Sequence, residues 1–581
     1  MRLTSVHICK TLRLLFMTSM LALTSAWSQA APLEPHHNWL LQRLAGWPDA
    51  PALHHPQLIR QLYQAAGYSR FWRDAAGVPT GAARHLQQQL APWQLLAPIP
   101  ALDNLRQLNH WLSDSTRGHS ADEAYARDLL ITDRYLDWLS DRYRYRWNTF
   151  DRDQDQTLLN QANSWGQWPA PFSRSRLEDH LTSWTLQLRQ GSPAQWIRDT
   201  LTETTPPSAY YWPLRQAFAR LQQANATGPW PTLPPLLHQN HNQLDPIYHE
   251  ILRLQLSRLG DLVEDETLTS PKQRAPLNER LSQALKRFQQ RHQLPPSGQL
   301  DEPTRQWLNV PLNEKLRRLA HNIRRLEHLP RQLNNHYLMI NMADQQLQWV
   351  VNGQTRAQTR VIVGNRQHRT PIMAQWLTSL ILNPLWNVPP EIARTNIMPL
   401  AKRNPSYLAS RDYTIIEGWS QPPRSRPLAS LPEDAFTPDN PRYRLQQQAG
   451  RFNQLGRVKF RLSNRQAIYL HDTPAKSLFN RTQRALSHGC VRVENAQQLA
   501  TWLLEDTPAW SREQLQQQWQ TKEERYVQVR PKVAVYLMYW TAFVDAQGIL
   551  QWREDIYGKD RFEAHPTQFA SNPKPSYHRG H

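Results

Sequence analysis

Tyr469-Leu470-His471-Asp472-Thr473-Pro474 and Ser487-His488-Gly489-Cys490-Val491-Arg492 are the two segments on which the reading of this chain turns. His471 ends an apolar run that reads as a strand, so its imidazole is expected at the edge of a sheet. Gly489 permits a tight turn that presents Cys490. An ordinary thiol, with a pKa near ~8.5, is only slightly ionised at neutral pH. A neighbouring imidazole that takes its proton turns it into a strong nucleophile. Backbone N–H groups around Gly489 and Cys490 are expected to hold the oxyanion of a tetrahedral intermediate, and Arg492 to grip a carboxylate. A buried structural thiol is the competing reading for Cys490, and a plain strand-end histidine for His471. A salt bridge competes for Arg492.

Working outward, hydrophobic period two begins at Tyr337. Tyr337–Ile340, Leu347–Val351, Val361–Val363, Leu380–Leu382, Val458–Leu462 and Ala467–Leu470 read as strands, with Asn352-Gly353 as a hairpin turn. Val533–Val544 and Ile549–Trp552 read as a final hairpin. The stretch from Pro389 to Gly450 is polar, proline-rich and without clear period. A loop of that length within a β domain points to a lid. Upstream, Asn313–Arg331 reads as a basic helix with Leu316, Leu319, Ile323 and Leu326 as its apolar stripe and solvated arginines. Residues 245–312 read as a three-helix module, with one stripe through Ile247, Ile251, Leu254 and Leu259 and another through Leu277, Leu281, Leu285 and Phe288. Gly228–Pro235 reads as a linker. Residues 31–240 read as a helical scaffold, including a helix that starts at Pro56 and stops at Gly67 and another over Asp128–Tyr145.

The two opening segments resemble the L,D-transpeptidase (YkuD-type) catalytic domain. The resemblance extends through Val361-Ile362-Val363-Gly364, Arg369-Thr370-Pro371, Asn383–Pro389 (NPLWNVP) and Leu455–Phe460 (LGRVKF). The phrase Ala284–Val310 (ALKRFQQRHQLPPSGQLDEPTRQWLNV) resembles a peptidoglycan-binding domain, with Ser297-Gly298 where that family usually has Asp-Gly. Together they resemble the large YcbB-like subgroup. The resemblance implies an α+β multidomain chain: a signal peptide over 1–30, a helical scaffold over 31–240 and a peptidoglycan-binding-like domain over 245–312. A connecting helix over 313–335, a mainly β catalytic domain over 336–562 with the lid at about 390–450, and a disordered tail over 563–581 follow. It implies Cys490 as the acylated nucleophile, His471 as base, and Gly489 in the catalytic turn. Arg492, His488, Tyr469, Trp386 and Ser487 are implied to shape or line the substrate site. The implied reaction acylates Cys490 with the third residue of a peptidoglycan tetrapeptide stem, releasing D-Ala. The acyl group then passes to a side-chain amine of another stem. An L,D-carboxypeptidase, a protein-anchoring transpeptidase and a non-catalytic wall-binding scaffold are the alternatives. Expected partners are stem peptides, the sacculus, other wall-synthesis enzymes, and carbapenems as covalent inhibitors.

Composition sets the surroundings. The chain has 581 residues, a net charge of +20 and 24 Trp, 19 Tyr and 13 Phe, enough aromatic surface for several cores and too long for one. Arg2, Lys10 and Arg13 precede the uncharged apolar run Leu14–Trp27, and Ser28-Gln29-Ala30 offers a cleavage site, so export to the periplasm with cleavage after Ala30 is expected. Cleavage removes three positive charges, giving 20 − 3 = +17, together with Cys9, one of two cysteines. The remaining basic charge suits an anionic envelope. No recognisable nucleic-acid fold accompanies it, so DNA and RNA are not expected partners. His36-His37, His54-His55 and His578–His581 have no helical His-Glu-x-x-His or cysteine pair beside them. They read as surface histidines, and neither a metal nor a cofactor is expected.

Overall fold

The computed structural model describes residues 53–74, 78–91, 108–113, 121–144, 177–204, 209–236, 246–262, 277–326, 329, 333–418, 423–437, 440, 442–464, 466–505, 507 and 509–560. The expected signal peptide and C-terminal tail lie outside them. No helix of the described residues is long and apolar enough to cross a membrane. The chain divides into two units between Thr205 and Pro206, ahead of the scaffold boundary expected at 240.

The first unit is helical and aromatic-cored. Pro56–Ala65 begins on its proline and stops before Gly67, which takes the positive φ that favours glycine. Ala121–Arg144 supplies the buried Asp128. Its carboxylate accepts from the Tyr63 hydroxyl at 2.6 Å and from the backbone N–H groups of Phe71 and Trp72 at 2.8 and 2.9 Å. Of the His54-His55 pair, His54 is exposed as expected and His55 is half-buried, but both are tied into the fold. Both imidazoles bond Asp137, at 2.8 and 3.0 Å, and both backbone N–H groups donate to Asp133. His54, Asp133 and Asp137 stand within metal-ligand range of one another. The Arg134 guanidinium bonds all three, so a cation already holds that position.

In the second unit, helices Pro246–Arg258, Leu277–Arg291 and Glu302–Asn309 enclose a core of Leu252, Leu256, Leu281, Leu285, Phe288 and Leu308. The first helix buries Tyr248, Leu252 and Leu256, a face turned from the expected stripe: Ile251 and Leu259 pack at its margin, and Ile247 is 58% exposed. The Gly228–Pro235 stretch explains the rotation, because it is packed onto the module rather than linking it. Leu233 enters the core, the Tyr248 hydroxyl donates to the Pro235 carbonyl, and the Gln255 amide donates to that of Pro231. Helix Leu312–Leu326 buries the expected stripe. Its inner arginines are not solvated: Arg325 and Arg318 pair with Asp560 at 2.8 and 3.2 Å.

The β domain follows. Its main strands are β1 (His336–Asn341), β2 (Gln346–Val351), β3 (Gln354–Gly364), β4 (Met373–Leu382), then β9 (Val458–Leu462), β10 (Tyr469–His471), β11 (Ala485–Ser487), β12 (Val491–Val493) and β13 (Arg525–Met538). They run in the order β11-β3-β12-β10-β9-β4-β13-β1-β2. The first half of β3 also pairs with β2, so the ladder returns on itself. Leu338, Ile340, Leu347, Phe460, Leu470, Val491 and Val535 fill its interior, with helix Ala496–Leu503 packed on the same core through Leu499 and Leu503. The expected strand Val533–Val544 is two: β13 ends at Met538, and Ala542–Val544 (β14) pairs with Leu550–Trp552 (β15). Asn341 holds the break, bonding both the N–H and the carbonyl of Trp540.

The Pro389–Gly450 insertion is not a plain loop. Trp386–Asn387 (β5), Tyr413–Glu417 (β6), Arg424–Arg426 (β7) and Tyr443–Gln447 (β8) form a second sheet in the order β5-β8-β6-β7. That sheet has its own core of Val388, Ile397, Ile415, Phe436 and Leu445. Its strands are short and interrupted by helical turns, so no period was visible over them. At its rim Glu417 accepts from Arg426 at 2.5 Å and pairs with Arg442.

Candidate active site

The two opening segments become neighbouring strands. β10 and β12 are parallel, with Leu470 opposite Val491 and His471 opposite Arg492. β9 flanks β10 on its other side, antiparallel, with Lys459 opposite His471 and Arg461 opposite Tyr469. Alternation sends Leu470, Val491 and Phe460 into the core. It leaves Lys459, His471 and Arg492 in one row across three strands on the outer face. Cys490, the residue before β12, falls beside Tyr469 in the next row.

The turn that carries Cys490 is fixed from three directions. Gly489 has φ +109, a conformation side chains rarely adopt. The Ser487 hydroxyl donates to the Cys490 carbonyl at 2.6 Å and accepts from the Gly489 N–H at 3.2 Å. That N–H is therefore occupied, which removes one of the expected oxyanion donors in this state. The Thr370 hydroxyl donates to the Gly489 carbonyl at 2.7 Å and accepts from the Gly364 N–H at 2.8 Å. Thr370→Val keeps the shape and removes both bonds. We expect about a ten-fold slower acylation of Cys490, read by mass spectrometry, and a lowered melting temperature, because two buried groups lose their partner.

His471 is buried, and its Nδ1 lies 2.6 Å from the Asp472 carbonyl oxygen. A carbonyl only accepts, so the proton sits on Nδ1 and the lone pair on Nε2 is left to act as base. Burial, then Arg492 and Lys459, hold the imidazole pKa down at about 3, against the opposing carbonyls. Among the described residues, no hydrogen bond joins His471 to Cys490. The imidazole instead stands edge-on to Tyr469, ring centres 5.6 Å apart.

The Cys490 sulfur faces the Ala467 carbonyl at 3.7 Å. Burial pushes its thiol pKa up, while Tyr469, Lys459 and Arg492 work to bring it down. Thiol and imidazole are thus both neutral at rest, and proton transfer must accompany attack rather than precede it. The Lys459 ammonium lies 3.8 Å from the centre of the Tyr469 ring. Neither Lys459 nor Arg492 has an ion-pair partner among the described residues, and the Arg492 Nε is buried without a hydrogen bond. Two uncompensated cations beside a nucleophile form a seat for carboxylate. With both present, alkylation of Cys490 by iodoacetamide should rise with pH to an inflection above that of an ordinary thiol. Lys459→Met removes one stabilising charge and should move that inflection higher still; an unmoved profile would show that Lys459 does not act on the sulfur.

Of the remaining expected residues, Trp386 is buried in the insertion's core, and Tyr469 packs against the same core from β10. His488 stands beside His368, ring centres 4.6 Å apart, and His368 lies 3.9 Å from Glu391 of the insertion. Burial foremost, then His368, lowers the His488 pKa. Sequence reasoning missed Lys459 and Thr370, although both stand inside the quoted LGRVKF and Arg369-Thr370-Pro371 segments. Lys459 and Arg461 both stand between buried apolar residues of β9, so the alternation alone offered two candidates and only the register chose Lys459.

Residues 335–510 match the family described as L,D-transpeptidase catalytic domain (YkuD). Over those residues the chain is similar to L,D-transpeptidase catalytic domains. Residues 250–308 match the family described as "Putative peptidoglycan binding domain". A curated Haemophilus influenzae protein named "Putative L,D-transpeptidase" is 36% identical over 246 residues, which is 42% of this chain and 48% of the relative. The chain thus spans about half the length of the curated relative it matches. Among solved structures, an L,D-transpeptidase from Stackebrandtia nassauensis is 12% identical, covering 53% of this chain and 97% of its own at a TM-score of 0.18. A structure titled as the Ldtfm-avibactam carbamoyl enzyme is 10% identical, covering 36% and 51% at 0.15. At those scores neither likeness places a residue. The family match spans β1 to the helix after β12, so it contains the whole Lys459–His471–Arg492 row and the Cys490 turn.

Proposed function

We propose that the protein is an exported, periplasmic L,D-transpeptidase of peptidoglycan with Cys490 as nucleophile and His471 as base. The observation that carries this reading is the unpaired Lys459 and Arg492 flanking a neutral imidazole beside the thiol. Such a site takes a substrate that brings its own carboxylates to a reactive carbonyl, as a tetrapeptide stem does. The sulfur attacks the carbonyl of the third stem residue while Nε2 of His471 takes the thiol proton. The C–N bond to the terminal D-Ala breaks, and that proton leaves on its amine. The thioester then accepts the side-chain amine of another stem: the C–S bond breaks, an amide forms, and the amine's proton returns to the sulfur through His471. Tyr469 and His488 contact the stem beside Cys490, Trp386 supports Tyr469 from the insertion's core, Ser487 and Gly489 hold the turn, and carbapenems acylate the same sulfur.

Incubation of the protein with disaccharide-tetrapeptide, followed by mass spectrometry, tests this. Cross-linked dimers with release of D-Ala are expected. Tripeptide as the only product would instead make water the acceptor, and an unchanged substrate would overturn the reading.

A further inference from the structure

The outer wall of the ladder has a second opening. β1 lies four steps from β10 whichever way the ladder is followed, through β9, β4 and β13 or through β12, β3 and β2. On the outward side of the β1–β2 pair, Tyr337 stands opposite Val350, Met339 opposite Gln348 and Asn341 opposite Gln346. The β14–β15 turn and the residues before helix Tyr211–Ala226 rise over this face and enclose a cavity of about 440 Å³. That is within the usual range of small-molecule sites, about 300–1,000 Å³.

The lining is specific in its chemistry. One side is aromatic: the Tyr210 ring lies 5.2 Å from that of Trp540, and the Tyr210 and Tyr337 hydroxyls are 3.4 Å apart. The other side is amide: the side chains of Gln346 and Gln348 line the cavity and have no hydrogen-bond partner among the described residues. Each offers a donor and an acceptor. The two carboxylates at the cavity are engaged: Asp344 is paired with Arg553, and Asp545 accepts from Gln551 and from two backbone N–H groups. No lysine or arginine lines it. The lining therefore has nothing to attract an anion, and suits a ligand with apolar C–H faces, hydroxyls and amides but no charge.

We propose that this cleft binds an uncharged N-acetylhexosamine segment of a glycan strand, with the sugar against Tyr210 and Trp540 and its acetamido and hydroxyl groups on Gln346 and Gln348. The proposal rests on the peptidoglycan reading for the biological source of that glycan, not for the chemistry of the cleft. Because it lies on the wall opposite Cys490, occupation would anchor a strand without touching the reacting stem.

The full chain is titrated by calorimetry with N-acetylglucosamine tetramer and, separately, with cellotetraose, which lacks acetamido groups. The same titrations use the Gln346→Leu/Gln348→Leu double variant. Binding of the acetylated tetramer, at least ten-fold weaker for cellotetraose and for the variant, is expected. The variant should still be acylated by a carbapenem at the wild-type rate, which also reports that it is folded. Absence of binding, equal affinity for both sugars, or undiminished binding by the variant would each overturn the proposal. The last result would place the sugar elsewhere, such as on the 250–308 module. Carbapenem acylation without sugar binding would leave the peptidoglycan reading standing and fail only the cleft. Sugar binding without acylation would do the reverse.

Discussion

Replacing Cys490 by alanine is expected to reduce cross-link formation by more than about a thousand-fold and to abolish the carbapenem adduct. Stability should change little, because the side chain is partly exposed and small, and it approaches the Ala467 carbonyl only at 3.7 Å. The fold and the transpeptidase reading are therefore separable in one sample: an unaltered melting curve beside a lost mass shift. Serine at the same place should do little better. Its hydroxyl is far less acidic than a thiol, and His471 sits between two cations that resist the arrival of a proton. A Cys490→Ala protein that made dimers at the wild-type rate would remove the acyl-enzyme from the mechanism.

The same pair of cations shows where sequence reasoning stops. Strand alternation around Leu470 and Val491 was readable, and so was the pairing of a histidine with a cysteine in a glycine turn. What was not readable is the register between β9, β10 and β12, since β9 and β10 could pair in several offsets with equal local propensity. The offset found puts Lys459 rather than Arg461 beside His471. Burial and Arg492 do most to keep that imidazole neutral, and Lys459 adds to them. The insertion was opaque for a different reason. Its strands β5–β8 are two to five residues long and are held by contacts between positions far apart in sequence, such as Trp386 opposite Gln447. Local patterning carries no trace of such pairs. The rotated face of helix Pro246–Arg258 is the same lesson in helical form. Its buried side combines Leu252 and Leu256 with Tyr248 and Gln255, which bond the proline-rich stretch, and the helix's own pattern does not show that second partner.

Gly364→Ala should be the most damaging small substitution away from the reacting groups. A Cβ on Gly364 would stand 2.1 Å from the His368 carbonyl oxygen and 2.6 Å from the Thr370 backbone nitrogen. Both are backbone atoms and cannot swing aside as a side chain would. The 365–370 turn must therefore move as a body. That movement breaks a chain of bonds converging on the site. Gly364 N–H donates to Thr370 Oγ1, Thr370 Oγ1 donates to the Gly489 carbonyl, and the Tyr557 hydroxyl donates to the Gly364 carbonyl at 2.8 Å. Thr370→Val removes the middle bonds and leaves the backbone where it is, whereas Gly364→Ala displaces the backbone and takes all of them. The expected cost is about 3 kcal/mol or more in urea denaturation, with acylation of Cys490 slowed well beyond the Thr370→Val effect even in the folded fraction. If the alanine variant melts with the wild type and acylates as fast, the 365–370 turn does not hold the nucleophile. Gly489 would then owe its positive φ to Ser487 alone.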